Sequence, residues 1–147
     1  MAVAIPHPAG LATALEHGHE EGTHVKTVER CGIAAAGNWI IDQVKIIDRY
    51  PPEDHLAVIQ SESRGTGGAP YNVLVGLRAL DPGLPLEAIG VVGDDPNGRF
   101  ILEHLHSLNI TADLMRRTPQ APTSYTDVMT VASTGRRTFF HNRGANA

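Results

Sequence analysis

The sequence predicts an α/β fold built on a parallel sheet, and three stretches carry that prediction. Ile33-Ala34-Ala35-Ala36-Gly37 is a short apolar run closed by glycine, the pattern of a strand buried on both faces. Gly65-Thr66-Gly67-Gly68-Ala69-Pro70-Tyr71-Asn72 is a glycine-rich turn that opens directly into a run with helical spacing. Leu86 to Gly93 is a second apolar run, after which Asp95-Pro96 starts another helix. Buried strands alternating with helices are what a parallel sheet requires, because parallel neighbours are joined by crossovers.

Bulk properties set the limits. The 147 residues are one domain's worth of chain, and 41% hydrophobic with 19% charged residues is an ordinary soluble balance. Twelve basic against sixteen acidic residues leave a formal charge of −4, which argues against a nucleic-acid binder with a basic surface. No apolar run approaches membrane-spanning length. Cys31 stands alone and cannot form an internal disulfide, so a reducing cytoplasm is the expected setting and Cys31 reads as a small core or strand residue.

Residues 1–28 are broken up by Pro6, Pro8, Gly10, Gly18 and Gly22 and read as a mobile N-terminal tail, with room for a short helix over residues 11–19. His7, His17, His19 and His24 make it histidine-rich, but their spacing is not that of a zinc site. The basic start and apolar core of a signal peptide are absent. After the first strand comes the segment Asn38 to Asp42. A carboxylate at Asp42 can accept from two vicinal hydroxyls, or can cap a turn. Val44 to Arg49, closed by Tyr50-Pro51-Pro52, reads as a strand, and Leu56 to Ser61 as its successor.

In the glycine-rich turn, Gly67 and Gly68 let a ligand approach the backbone. The unpaired N–H groups and partial positive charge of the helix start favour a polar or anionic ligand. The same glycines also suit a plain tight turn. Asn72 offers one acceptor and two donors to a sugar hydroxyl. Pro70 fits the first helical turn, Val73, Leu74, Leu77 and Leu80 are expected to form the buried face, and Asp81-Pro82-Gly83 ends the helix. Pro70 stands where a dinucleotide fingerprint needs its third glycine. Gly93 to Gly98 has the spacing of a phosphate loop, but Arg99-Phe100 replace its lysine and hydroxyl, so Asp95-Pro96 reads as a helix cap and first turn. That helix runs through Phe100, Ile101, Leu105 and Leu108 to Asn109. Ala112 to Met115 is a third strand. Thr123 to Val131 alternates with period two, Ser133-Thr134-Gly135 turns, and Arg136 to His141 returns as a hairpin.

Gly67-Gly68-Ala69-Pro70-Tyr71-Asn72 resembles the first signature of the ribokinase-like (PfkB) carbohydrate kinases, with Leu74 where a small residue is usual. Gly93-Asp94-Asp95 and the final Gly144-Ala145-Asn146 are similar to later motifs of that family, in the same order, so the resemblance spans residues 32–147. It implies an incomplete ribokinase-like αβα (Rossmann-like) sandwich over residues 29–147, with a small β-sheet lid from strands near 44–64 and 123–142. It makes Asp42, Gly67, Gly68 and Asn72 the substrate-binding residues, and it leaves Asp94 and Asp95 a mostly structural role near the site mouth. It implies ATP-dependent phosphorylation of a sugar hydroxyl, with ATP, magnesium and potassium as candidate cofactors of the complete enzyme. The family's Asp-Thr-x-Gly-Ala-Gly-Asp motif, which supplies the catalytic base, does not occur in these residues. The resemblance therefore covers about the first half of a family member. No catalytic residue, and no complete ATP or metal site, is expected in this chain. The alternative is a non-catalytic fragment that binds sugar or pairs through its lid. A sugar substrate and a homodimer through the lid strands, or non-specific association, are the expected partners. Neither nucleic acid nor membrane is.

Overall fold

The computed structural model describes residues 2–6 and 30–147. Most of the predicted tail, including its histidines and the expected short helix over 11–19, lies outside the described residues. In chain order the elements are β1 (Ala2–Pro6), β2 (Arg30–Ala36), β3 (Ile40–Ile47), β4 (Ile59–Gly67), α1 (Ala69–Leu80), β5 (Leu86–Gly93), α2 (Pro96–Ser107), β6 (Thr111–Thr118), β7 (Ser124–Val131) and β8 (Arg137–Asn142). A single turn of 3-10 helix, Gly144–Asn146, follows.

The strands form two four-stranded sheets. The core sheet has the order β1-β2-β5-β6. Its β2, β5 and β6 are parallel, as the buried apolar runs of β2 and β5 predict for those two. β1 lies antiparallel along the other edge of β2, from Ala2 opposite Ala35 to Pro6 opposite Arg30. The sequence gives little sign of it, because five residues with a proline are too short for a period to show. The second sheet, called the lid sheet after the expectation above, has the order β4-β3-β7-β8, with β3 and β7 parallel and the outer pairs antiparallel.

Two boundaries differ from the sequence reading, for one reason. β3 begins at Ile40 rather than Val44, and β4 runs on to Gly67 rather than ending near Ser61. The ladder from β7 reaches Ile40, which pairs with both Ser124 and Gly67. Asp42 is therefore a mid-strand residue, and Gly65-Thr66-Gly67 is strand rather than turn. Between β3 and β4, Asp48 holds the loop by accepting from the backbone N–H groups of Arg49 and Val58 at 2.8 and 2.9 Å.

The core gathers Trp39, Ile41, Leu74, Leu86, Ala88, Val92, Ile101, Leu105 and Ile110. Burying each large side chain contributes about 1.5–3 kcal/mol relative to leaving it in water. On α1 the buried residues are Pro70, Tyr71 and Leu74, with Leu77 packed beside them. Val73 is 46% exposed and Leu80 85%, so neither belongs to the buried face. The stripe is Pro70, Leu74, Leu77, spaced i, i+4, i+7, and Tyr71 widens it. The second helix follows expectation. Asp95 is its N-cap, Ile101 and Leu105 are buried, and Asn109 ends it with φ 53°.

Candidate functional site

Asp42 lies in the middle of β3, paired with Gly65 on one side and Thr126 on the other. Its side chain is half-buried, and among the described residues no hydrogen bond reaches its carboxylate. Gly67 is what allows this carboxylate its place: a Cβ on Gly67 would stand 2.5 Å from Asp42 Oδ2. The next residue, Gly68, is the N-cap of α1 with φ 96°, a left-handed conformation that L side chains avoid. A Cβ there would also collide with the carbonyl oxygen of Asn38. The two glycines thus let three segments converge: the β2–β3 connection, the middle of β3 and the first turn of α1.

Asn72 is exposed in that first turn. Its N–H closes the turn onto the Gly68 carbonyl at 3.1 Å, while its amide side chain has no partner among the described residues. The corner thus sets the Asp42 carboxylate beside Gly67 and the start of α1 at Gly68, and Asn72 lies exposed in the first turn of the same helix. A ligand with several hydroxyls finds acceptors at Asp42 and donors at Asn72 and the helix start.

Asp94 and Asp95 have other work. Asp95 accepts from Gly98 N–H at 2.8 Å, Thr123 N–H at 2.7 Å and Thr123 Oγ1 at 2.7 Å, joining α2 to the start of β7. Partial burial pushes its carboxyl up, but those hydrogen bonds outweigh it and hold the group below its ordinary range. Asp94 pairs at the surface with Arg117 at 3.4 Å. On the far side of the core sheet, burial raises the Glu87 carboxyl, partly opposed by the Leu114 N–H and reinforced by the charge of Asp113.

Three features escape a reading of the sequence alone. Trp39, 0% exposed, anchors the junction between core and lid, its Nε1 donating to the Ile89 carbonyl at 2.9 Å. Asn146 Nδ2 donates to the Trp39 carbonyl at 3.0 Å, which brings the closing turn back to that junction. The lone tryptophan beside a strand end was the available signal. Third, the lid touches α2 through a stacked series. The Arg64 guanidinium of β4 lies 4.1 Å from the Phe100 ring centroid, Phe100 stacks on His104, and His104 stacks on Tyr71 and shares a 2.5 Å hydrogen bond with its hydroxyl.

Residues 30–147 match the sequence profile of the pfkB family carbohydrate kinases. The chain is 42% identical over 83 residues to a 5-dehydro-2-deoxygluconokinase of Listeria innocua, covering 56% of this chain and 24% of that protein. It is 44% identical over 75 residues to a fructokinase of Klebsiella pneumoniae, covering 50% of this chain and 23% of that protein. Among solved structures, it resembles the Arabidopsis thaliana ribokinase complexed with ribose and ATP, with a TM-score of 0.68 and 25% identity over 77% of this chain and 36% of the other. The fold also matches the nucleoside kinase of Methanocaldococcus jannaschii, with a TM-score of 0.68 and 22% identity over 76% of this chain and 36% of the other. The matches thus span about a quarter of the curated relatives and about a third of the solved chains.

Proposed function

The chain belongs to the pfkB family of carbohydrate kinases, and from that premise we propose that it supplies the sugar-binding shelf and lid of an enzyme that phosphorylates a sugar hydroxyl with ATP. The observation that carries this reading is the unpartnered, half-buried carboxylate of Asp42 over Gly67, beside the open first turn of α1. A half-buried carboxylate that lacks a protein donor is satisfied by the hydroxyls a sugar brings. Asn72 and the first N–H groups of α1 orient the sugar, and the lid sheet shields it from water. Gly67 and Gly68 act by clearance, keeping that corner free of side chains.

ATP with magnesium supplies the transferable phosphoryl group and neutralises its charge when bound. The residues here do not fit that pair. Among the described residues no three His, Cys, Asp or Glu side chains gather as metal ligands would. Asp95, in the turn that comes nearest to a phosphate loop, is committed to Gly98 and Thr123. On this reading the described residues hold neither nucleotide, metal ions nor catalytic base, and the isolated chain is expected to have no kinase activity. Sugar-dependent ADP formation above background by the purified chain contradicts that assignment.

Titration with ribose and fructose, compared with Asp42→Ala and Asn72→Ala, tests the shelf. Each substitution should weaken binding about tenfold, the effect of losing a hydrogen-bonding partner. If both variants bind as wild type does, the shelf lies elsewhere.

A second reading, a module that acts through its lid, is favoured by one surface. Ile47, Tyr50, Ala57, Ile59, Met129 and Phe140 line an open apolar pocket of about 400 Å³ on the lid sheet. A homodimer through the lid would cover it. No helix among the described residues is long and apolar enough to cross a membrane.

A further inference from the structure

The lid carries a polar row beside Asp42 that the shelf residues leave unused. Asp42 of β3 pairs with Thr126 of β7, and Thr126 pairs with His141 of β8. Directly paired residues project from the same face of a sheet. Two strand spacings, about 10 Å, therefore separate the Asp42 and His141 backbones on one face of the lid. Thr126 is 7% exposed, and its hydroxyl is 2.9 Å from His141 Nδ1. His141 itself is exposed.

This geometry selects a chemistry. With Nδ1 accepting from the Thr126 hydroxyl, the ring hydrogen sits on Nε2; in the charged ring both nitrogens carry one. In both of these forms Nε2 carries a donor, whereas a neutral ring with its hydrogen on Nδ1 donates to the Thr126 hydroxyl and leaves Nε2 an acceptor; an anionic partner selects the donor forms. The row thus has an acceptor at one end, suited to vicinal hydroxyls, and a donor that can take positive charge at the other. A plain sugar satisfies the first and leaves the second to water. A polyhydroxy chain ending in an anionic oxygen group satisfies both.

We propose that His141, held by Thr126, is a specificity-determining residue of the shelf, and that the preferred substrate is a sugar bearing a carboxylate or phosphate at the end remote from Asp42. The proposal rests on the sugar-shelf reading and adds to it the substrate class.

The test is calorimetric titration of the chain with fructose, gluconate and fructose 6-phosphate, on wild type, His141→Ala, His141→Gln, Thr126→Val and Asp42→Asn. Wild type should bind gluconate or fructose 6-phosphate about tenfold tighter than fructose, the scale of one charge-assisted hydrogen bond. Gluconate and the phosphate ester separate the two sources of the anionic group. His141→Ala should collapse that ratio towards one. His141→Gln, which keeps an N–H donor, should restore part of it. Thr126→Val should narrow it by freeing the ring. His141 is exposed, so its variants should keep the wild-type melt; a general loss of fold would instead lower binding of all three sugars together. Equal wild-type affinity for neutral and anionic sugars, or a ratio unmoved by His141→Ala, overturns the proposal. If that happens while Asp42→Asn still weakens every sugar, the shelf reading survives alone. If no sugar binds, or Asp42→Asn changes nothing, both fail.

Discussion

Gly68 and Gly76 lie eight residues apart and should respond to the same substitution with opposite signs. Gly68 has φ 96° and the Asn38 carbonyl oxygen where a methyl group would go. Gly68→Ala should destabilise the chain by about 2 kcal/mol or more, read from urea unfolding. Gly76 is inside α1 with nothing within 4 Å of an added Cβ, so Gly76→Ala should stabilise by about 0.5–1 kcal/mol. Equal effects would mean that the corner at Gly68 is not built as described. Asp95 gives a prediction in pH. Its carboxyl titrates below the ordinary value of 3.8, so its contribution is complete above that value and is lost as pH falls through the lower, folded one. Asp95→Asn should therefore cost about 1–3 kcal/mol at pH 7 and markedly less at pH 3, with thermal melts at the two pH values as the measure.

At the scale of elements, legibility followed how local the determinants are. The second helix was readable because its end signals are local: Asp95 caps it, Pro96 opens it, and Asn109, just past the Leu108 C-cap, turns the chain away with a positive φ. Leu86–Gly93 was readable because a strand buried on both faces needs no alternation. The start of β3 was not, because the ladder that extends it to Ile40 comes from β7, more than eighty residues away. The buried stripe of α1 was displaced for a similar reason: Val73 is apolar, but the packed sheet lies on the side of Tyr71 and Leu74. Of the candidate site, residue types were legible in Asp42, Gly67, Gly68 and Asn72. Their convergence depends on pairing between β3 and β4 that no single stretch encodes. The junction of core and lid leads to its own expectation. Trp39→Ala should cost about 3–5 kcal/mol, because a fully buried indole and its bond to Ile89 are lost together. Arg64→Ala removes the contact of β4 with Phe100, and should speed hydrogen exchange in β4 more than in β5. Uniform acceleration would mean that this contact does not hold β4 in particular.

For the whole molecule, the surface is unevenly covered. Leu80, Leu114, Phe139 and Phe140 are all at least half exposed, and β6, β4 and β8 are sheet edges. Such edges and apolar residues favour association, so sedimentation should show concentration-dependent oligomers, reduced by Phe140→Ser and Leu80→Ser. A clean monomer across the concentration range would mean that these surfaces are tolerated in water. The central claim is that the corner between β3, β4 and α1 is a sugar shelf. It is tested most directly by mapping backbone amide shifts while the chain is titrated with ribose, fructose and gluconate. The account predicts saturable shifts, for at least one sugar, at Asp42, Gly67, Gly68 and Asn72, with the turn from Gly93 to Gly98 unmoved. Saturable shifts confined to that turn, or no saturable shift with any of the sugars, would contradict it.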